Sequence, residues 1–160
     1  MKKRVFIIGI AIVIIAVWAE VSYFRFRTYF QRTEVQETLP PMPLSQAGSA
    51  MRIIVSGSFV KVDLVHKGSG TARIIEQAGK RYLRLDNFEV TNGPDLYVYL
   101  AESKTPGNTL ESLGKYISLG PLKGNVGNQT YEIPEPFRGY DTAVIWCQKF
   151  GVLFTYALMQ

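Results

Sequence analysis

The stretch Asp141 to Phe154, DTAVIWCQKFGVLF, decides the fold. Ala143, Ile145 and Cys147 alternate with Val144 and Trp146, the two-residue period of a β-strand. Both sets are apolar, so the strand is expected at the centre of a sheet with both faces covered. Gln148, Lys149 and Gly151 supply a turn, and Val152-Leu153-Phe154 begin a partner strand, which makes a hairpin. Cys147 is the only cysteine of the chain, and any thiol chemistry must lie beside it.

Working outward, the chain reads as short strands between turn signals, with no long amphipathic helix after residue 52. Ile53–Val62 opens the series, with Gly57 as a bulge or kink. Thr71–Gln77 and Lys80–Asn87 are joined by Ala78-Gly79, a tight hairpin turn. Asn92-Gly93-Pro94-Asp95 is a further turn. Leu96, Val98 and Leu100 alternate with Tyr97 and Tyr99. Ile117–Leu119 and Thr130–Ile133 flank the glycine-rich Gly120–Gly127, and Ser103–Ser112 is loop. About eight short strands at this spacing define an all-β domain, a β-sandwich or a barrel-like fold, over residues 52–160.

The N-terminal part is of another kind. Lys2-Lys3-Arg4 precede the apolar run at residues 5–19, and apolar character continues through Val21, Tyr23 and Phe24. Twenty such residues give about 30 Å of helix, the thickness of a bilayer core. Trp18, Tyr23 and Phe24 suit the interface, with Arg25 and Arg27 beyond it. Residues 1–24 are therefore expected to be a single-pass transmembrane anchor. The alternative is a cleaved signal peptide, with Val17-Trp18-Ala19 at the cleavage spacing. Residues 25–51 are expected to be a stalk and a Pro-rich linker, since Pro40, Pro41 and Pro43 stop any helix.

Charge follows this division. The net charge is +5, and all of it comes from residues up to Arg32, where six bases face the single acid Glu20. The remainder is balanced and has no basic excess for nucleic acid. One cysteine excludes an internal disulfide. One histidine, His66, with one cysteine cannot fill a structural zinc or blue-copper site. GxSxG, the P-loop pattern, EF-hand spacing and CxxCH are all absent.

Several segments together resemble the DM-thirteen domain family, an electron-transfer module of bacteria and of animal proteins, where it stands beside DOMON domains. They are Gly57-Ser58-Phe59; His66 with Gly70-Thr71-Ala72; Leu83-Arg84-Leu85-Asp86-Asn87-Phe88; and Asn92-Gly93-Pro94-Asp95-Leu96. LGPLKGNVGNQTYEIP (residues 119–134) and Val144-Ile145-Trp146-Cys147, followed by Phe150 and Phe154, complete the set. The resemblance implies an extracytoplasmic β-rich domain, on the far side of the cytoplasmic membrane, with a redox-active cysteine and a redox protein as partner. On that basis Cys147 is the candidate thiol, with His66, Trp146 and Phe150 shaping a pocket around it. No cofactor is specified. A reactive thiol needs exposure and a neighbouring base or positive charge. The competing reading is a binding or envelope-scaffold module in which Cys147 is a small buried hydrophobe.

Overall fold

The computed structural model describes residues 12–20, 32–39, 51–134 and 139–160. The chain divides into two compact units, Met1–Gln31 and Arg32–Gln160. In the first, residues 12–20 are helical. Among the described residues no helix is long and apolar enough to cross a membrane. Residues 1–11 and 21–24 of the expected span lie outside the described residues.

The second unit is a β-sandwich, with ten strands among the described residues. They are β1 (Glu34–Gln36), β2 (Arg52–Ser58), β3 (Val60–Lys61), β4 (Gly68–Gln77), β5 (Lys80–Val90), β6 (Leu96–Ala101), β7 (Tyr116–Pro121), β8 (Val126–Ile133), β9 (Thr142–Cys147) and β10 (Val152–Leu158). One sheet has the order β1-β8-β5-β4-β2 and the other β3-β10-β9-β6-β7. All pairs are antiparallel except β1–β8, which is parallel.

Two open sheets, rather than a closed barrel, follow from the alternation of the strands. Ile74, Leu83, Leu85, Phe88 and Tyr131 of the first sheet meet Val98, Leu100, Ile145, Phe154 and Ala157 of the second in one buried core. The central hairpin forms as its sequence predicts. β9 lies between β10 and β6, and all six of its residues are buried. Its second apolar face, Val144 and Trp146, forms another layer with Tyr99, Ala101, Leu113 and Leu153. The connection between β6 and β7 covers that layer. Its short 3-10 helix, Leu110–Leu113, buries Leu113, and Asn108 accepts a hydrogen bond from the Leu153 N–H at 2.9 Å.

Two expectations are corrected. The stretch Ile53–Val62 is not one strand. It breaks at Phe59 and passes from the first sheet (β2) to the second (β3). Gly57 sits where the sheets close on each other, and a Cβ there would collide with the Leu158 carbonyl. The second correction concerns Glu34–Gln36, in the stretch expected as stalk, which is a strand of the first sheet paired with β8. β1 and β2 are the two opposite edges of that sheet.

Candidate functional site

Strand directions gather four connections at one end of the sandwich: 62–67, 91–95, 122–125 and 148–151. β9 runs into this end and finishes on Cys147. The cysteine pairs with Leu96, the first residue of β6, and with Val152, the first of β10. The thiol therefore lies one residue layer in from the loops. Its side chain faces the inter-sheet core among apolar residues and is 0% exposed. Apolar burial of this kind suits a packed free cysteine.

Two of the residues expected to share a pocket with the thiol, Trp146 and Phe150, are directed away from it by simple geometry. Trp146 precedes Cys147 on the same strand, so it points to the opposite face, into the outer layer. Phe150 occupies the β9–β10 turn, is 58% exposed, and carries the Lys149 ammonium 5.8 Å from its ring centroid. His66 comes nearest in type of location. Its ring packs edge-on against Phe154 of the core, with centroids 4.6 Å apart.

His66 has a clear partner in Asp63. The Asp63 carboxylate accepts hydrogen bonds from the backbone N–H groups of Val65 and His66 at 2.7 and 2.6 Å. Its other oxygen lies 2.7 Å from His66 Nδ1. The backbone N–H of His66, followed by its side chain and the N–H of Val65, holds the Asp63 carboxyl down at about 2. This is an Asx-type turn that orders the 62–67 connection. Among the described residues no group of three or more His, Cys, Asp or Glu side chains could hold a metal ion.

The largest polar network lies elsewhere, on the outer face of the first sheet. Arg84, only 7% exposed, donates to the Glu37 carbonyl and to Thr130 Oγ1, each at 2.8 Å, and to Asp86 Oδ1 at 2.9 Å. Lys123 Nζ meets both Glu37 carboxylate oxygens at 2.8 and 3.0 Å, and the Thr130 N–H donates to Glu37 at 2.8 Å. Burial pushes the Glu37 carboxyl up, but these hydrogen bonds and the charges of Lys123 and Arg84 outweigh it and leave it below its ordinary value. An open groove of about 450 Å³ runs past Gln36, Glu37, Tyr82, Lys123 and Thr130. Because the Glu37 and Lys123 charges neutralise each other, the network reads as the seat of β1 rather than as a ligand site.

Sequence reasoning missed this seat, although one signal was available. The glycines at 124 and 127 are the positions at which a Cβ would strike the backbone of Thr33 and Val35. The glycine-rich stretch is a tight loop, as expected, and it is also the surface that receives β1. Gln129, fully buried, holds the loop by donating to the Gly124 carbonyl at 2.6 Å and accepting from Tyr131 Oη at 2.8 Å.

A two-sheet sandwich with one core cysteine at a strand end is the class that fold and site define together. The family model described as electron transfer DM13 matches residues 58–159, and the chain belongs to that family. No curated protein and no solved structure matches it.

Proposed function

We propose that the protein is a membrane-tethered, extracytoplasmic module of redox-related function, in which Cys147 is closed to thiol exchange while the sandwich is intact. The electron-transfer description of its family supports the redox side of this reading. The tether is supported by the apolar run at residues 5–24 with its basic flanks. It is supported further by the helical residues 12–20, where Ile12, Val13, Ile14, Ile15, Val17 and Trp18 all expose at least half their surface. A helix apolar on every side suits lipid.

The observation that carries the thiol assignment is the burial of Cys147. Disulfide exchange needs a thiolate that an incoming disulfide can reach in line. A redox step centred on this sulfur therefore requires the loop end of the sandwich to part first. Leu96 and Val152, the register partners of Cys147 on the two neighbouring strands, begin those strands at that end. A partner able to open that end is then part of the function.

Thiol labelling of the native, detergent-solubilised chain tests this. The expected result is no modification of Cys147 at neutral pH until denaturant is added. Rapid native labelling would overturn the closed-thiol reading and favour direct exchange. The same burial favours a second reading, a non-catalytic binding or envelope-scaffold module with Cys147 as core packing. Replacing Cys147 by Ala separates the two: a folded variant with unchanged phenotype supports the scaffold, and a folded variant without function supports the redox role.

A further inference from the structure

The loop end of the sandwich carries side chains that the fold does not use. Leu64 and Val65, at the tip of the 62–67 connection, are 81% and 69% exposed. Phe150, at the tip of the β9–β10 turn, is exposed as well. β3 pairs with β10, which brings both tips to the same end. Lys61, Lys67 and Lys149 flank them and are exposed. Among the described residues none of the three lysines has an acidic partner.

The backbone of the apolar tip is satisfied from within. The N–H groups of Val62 and Asp63 bond the His66 carbonyl, and Asp63 takes those of Val65 and His66. Such a tip can leave water without stranding its polar groups. Of the acids at this end, Asp63 is occupied by His66, Asp95 is half-buried, Glu89 lies 4.0 Å from Arg32, and Glu34, on the far edge strand β1, accepts from Gln36 Nε2 at 2.9 Å. Exposed apolar tips beside unopposed ammonium groups fit the boundary between lipid headgroups and acyl chains.

The course of the chain names the bilayer. Thr33 is bound at this end, its N–H to Asn125 Oδ1 at 2.6 Å and its carbonyl to the Val126 N–H at 3.2 Å. The chain therefore enters the β unit at the end that carries the apolar tips, at the edge of the sheet away from the 62–67 connection. Because β1 begins at Glu34, only residues 25–31 separate the apolar run from Arg32. Seven residues reach at most about 25 Å, whereas the eleven residues of β5 span about 37 Å. A tether this short keeps the end it enters nearest the membrane.

We propose that Leu64, Val65 and Phe150, with Lys61, Lys67 and Lys149, seat this end of the sandwich on the anionic phospholipid bilayer that holds the N-terminal segment. The proposal rests on the tether reading above and adds an orientation to it: the end that encloses Cys147 faces the membrane.

Spin labels on the full chain in vesicles of phosphatidylcholine and phosphatidylglycerol test it. Labels are placed through Leu64→Cys, Phe150→Cys and, at the opposite end, Lys80→Cys. All three native side chains are exposed, so folding is preserved, and Cys147→Ser removes the native thiol. The expected result is high oxygen and low nickel-chelate accessibility at 64 and 150, with the reverse at 80. In the labelled chain, each of Lys61→Gln, Lys67→Gln and Lys149→Gln lowers the ratio of lipid-facing to aqueous label about fivefold. Aqueous labels at all three sites, on chain that survives a high-salt wash, overturn the docking and leave the tether standing. Chain released by the wash with aqueous labels overturns both. Spin–spin broadening at 64 and 150 in place of lipid contact overturns the docking in favour of a second copy.

Discussion

β9 and β1 are both strands of this sandwich, and opposite forces hold them. β9 has six residues, all buried, and presents Ile145 and Cys147 to one apolar layer and Trp146 to another. β1 has three residues, none fully buried, and is secured by Arg84, Lys123 and Thr130 acting on Glu37 just beyond it. A central strand is specified by its own side chains, whereas this edge strand is specified by the surface that receives it.

The contrast should be easiest to sharpen at Trp146. Trp146→Ala empties the outer layer of its largest side chain and is expected to cost about 3–5 kcal/mol of global stability. Chemical denaturation followed by far-UV circular dichroism would measure it. A loss below about 1 kcal/mol would mean that the outer layer does not hold β9.

Gly127→Ala should act on the other strand. The residue has φ of 109°, and a Cβ there would collide with the Val35 backbone. The expected cost is about 1–3 kcal/mol, felt at the start of β8 and in the seating of β1 and not in β9. Hydrogen exchange would show Val126 and Glu37 amides losing protection while Ile145 keeps its own. Equal loss at both places would break the distinction between the strands.

The smallest effect belongs to the Asp63 turn and depends on pH. The Asp63 carboxyl is held at about 2 against an ordinary value of 3.8. Its contribution is therefore fully present above about pH 4 and is lost as the pH falls from there through 2. The Val65 and His66 amide resonances should shift in that window, with β9 undisturbed. An unchanged amide spectrum down to pH 2 would remove Asp63 as the organiser of the loop.

These differences explain what could be read in advance. The β4–β5 and β9–β10 hairpins were legible because alternation and turn residues are local. Ala78 and Gly79, both at positive φ, close the first hairpin in the register that the pattern requires. Cys147 was placed correctly at the end of a central strand. Two of its proposed neighbours were not, because adjacency on a strand sends Trp146 to the opposite face and the turn leaves Phe150 in solvent. β1 was illegible for a physical reason: its determinants lie some ninety residues away, in Gly124, Gly127 and Thr130, and two of its three residues, Glu34 and Gln36, are polar. The split at Phe59 was hidden because a strand that changes sheets keeps its alternation.

The seating of β1 also decides what happens when it is missing. It covers the outer edge of β8, the strand next to it in the sheet. A chain begun at Arg52 would present that edge as a row of unpaired backbone groups, an invitation to intermolecular strand pairing. The vacancy has the shape of this protein's own Glu34–Gln36, so strand exchange between two copies would be the readiest repair.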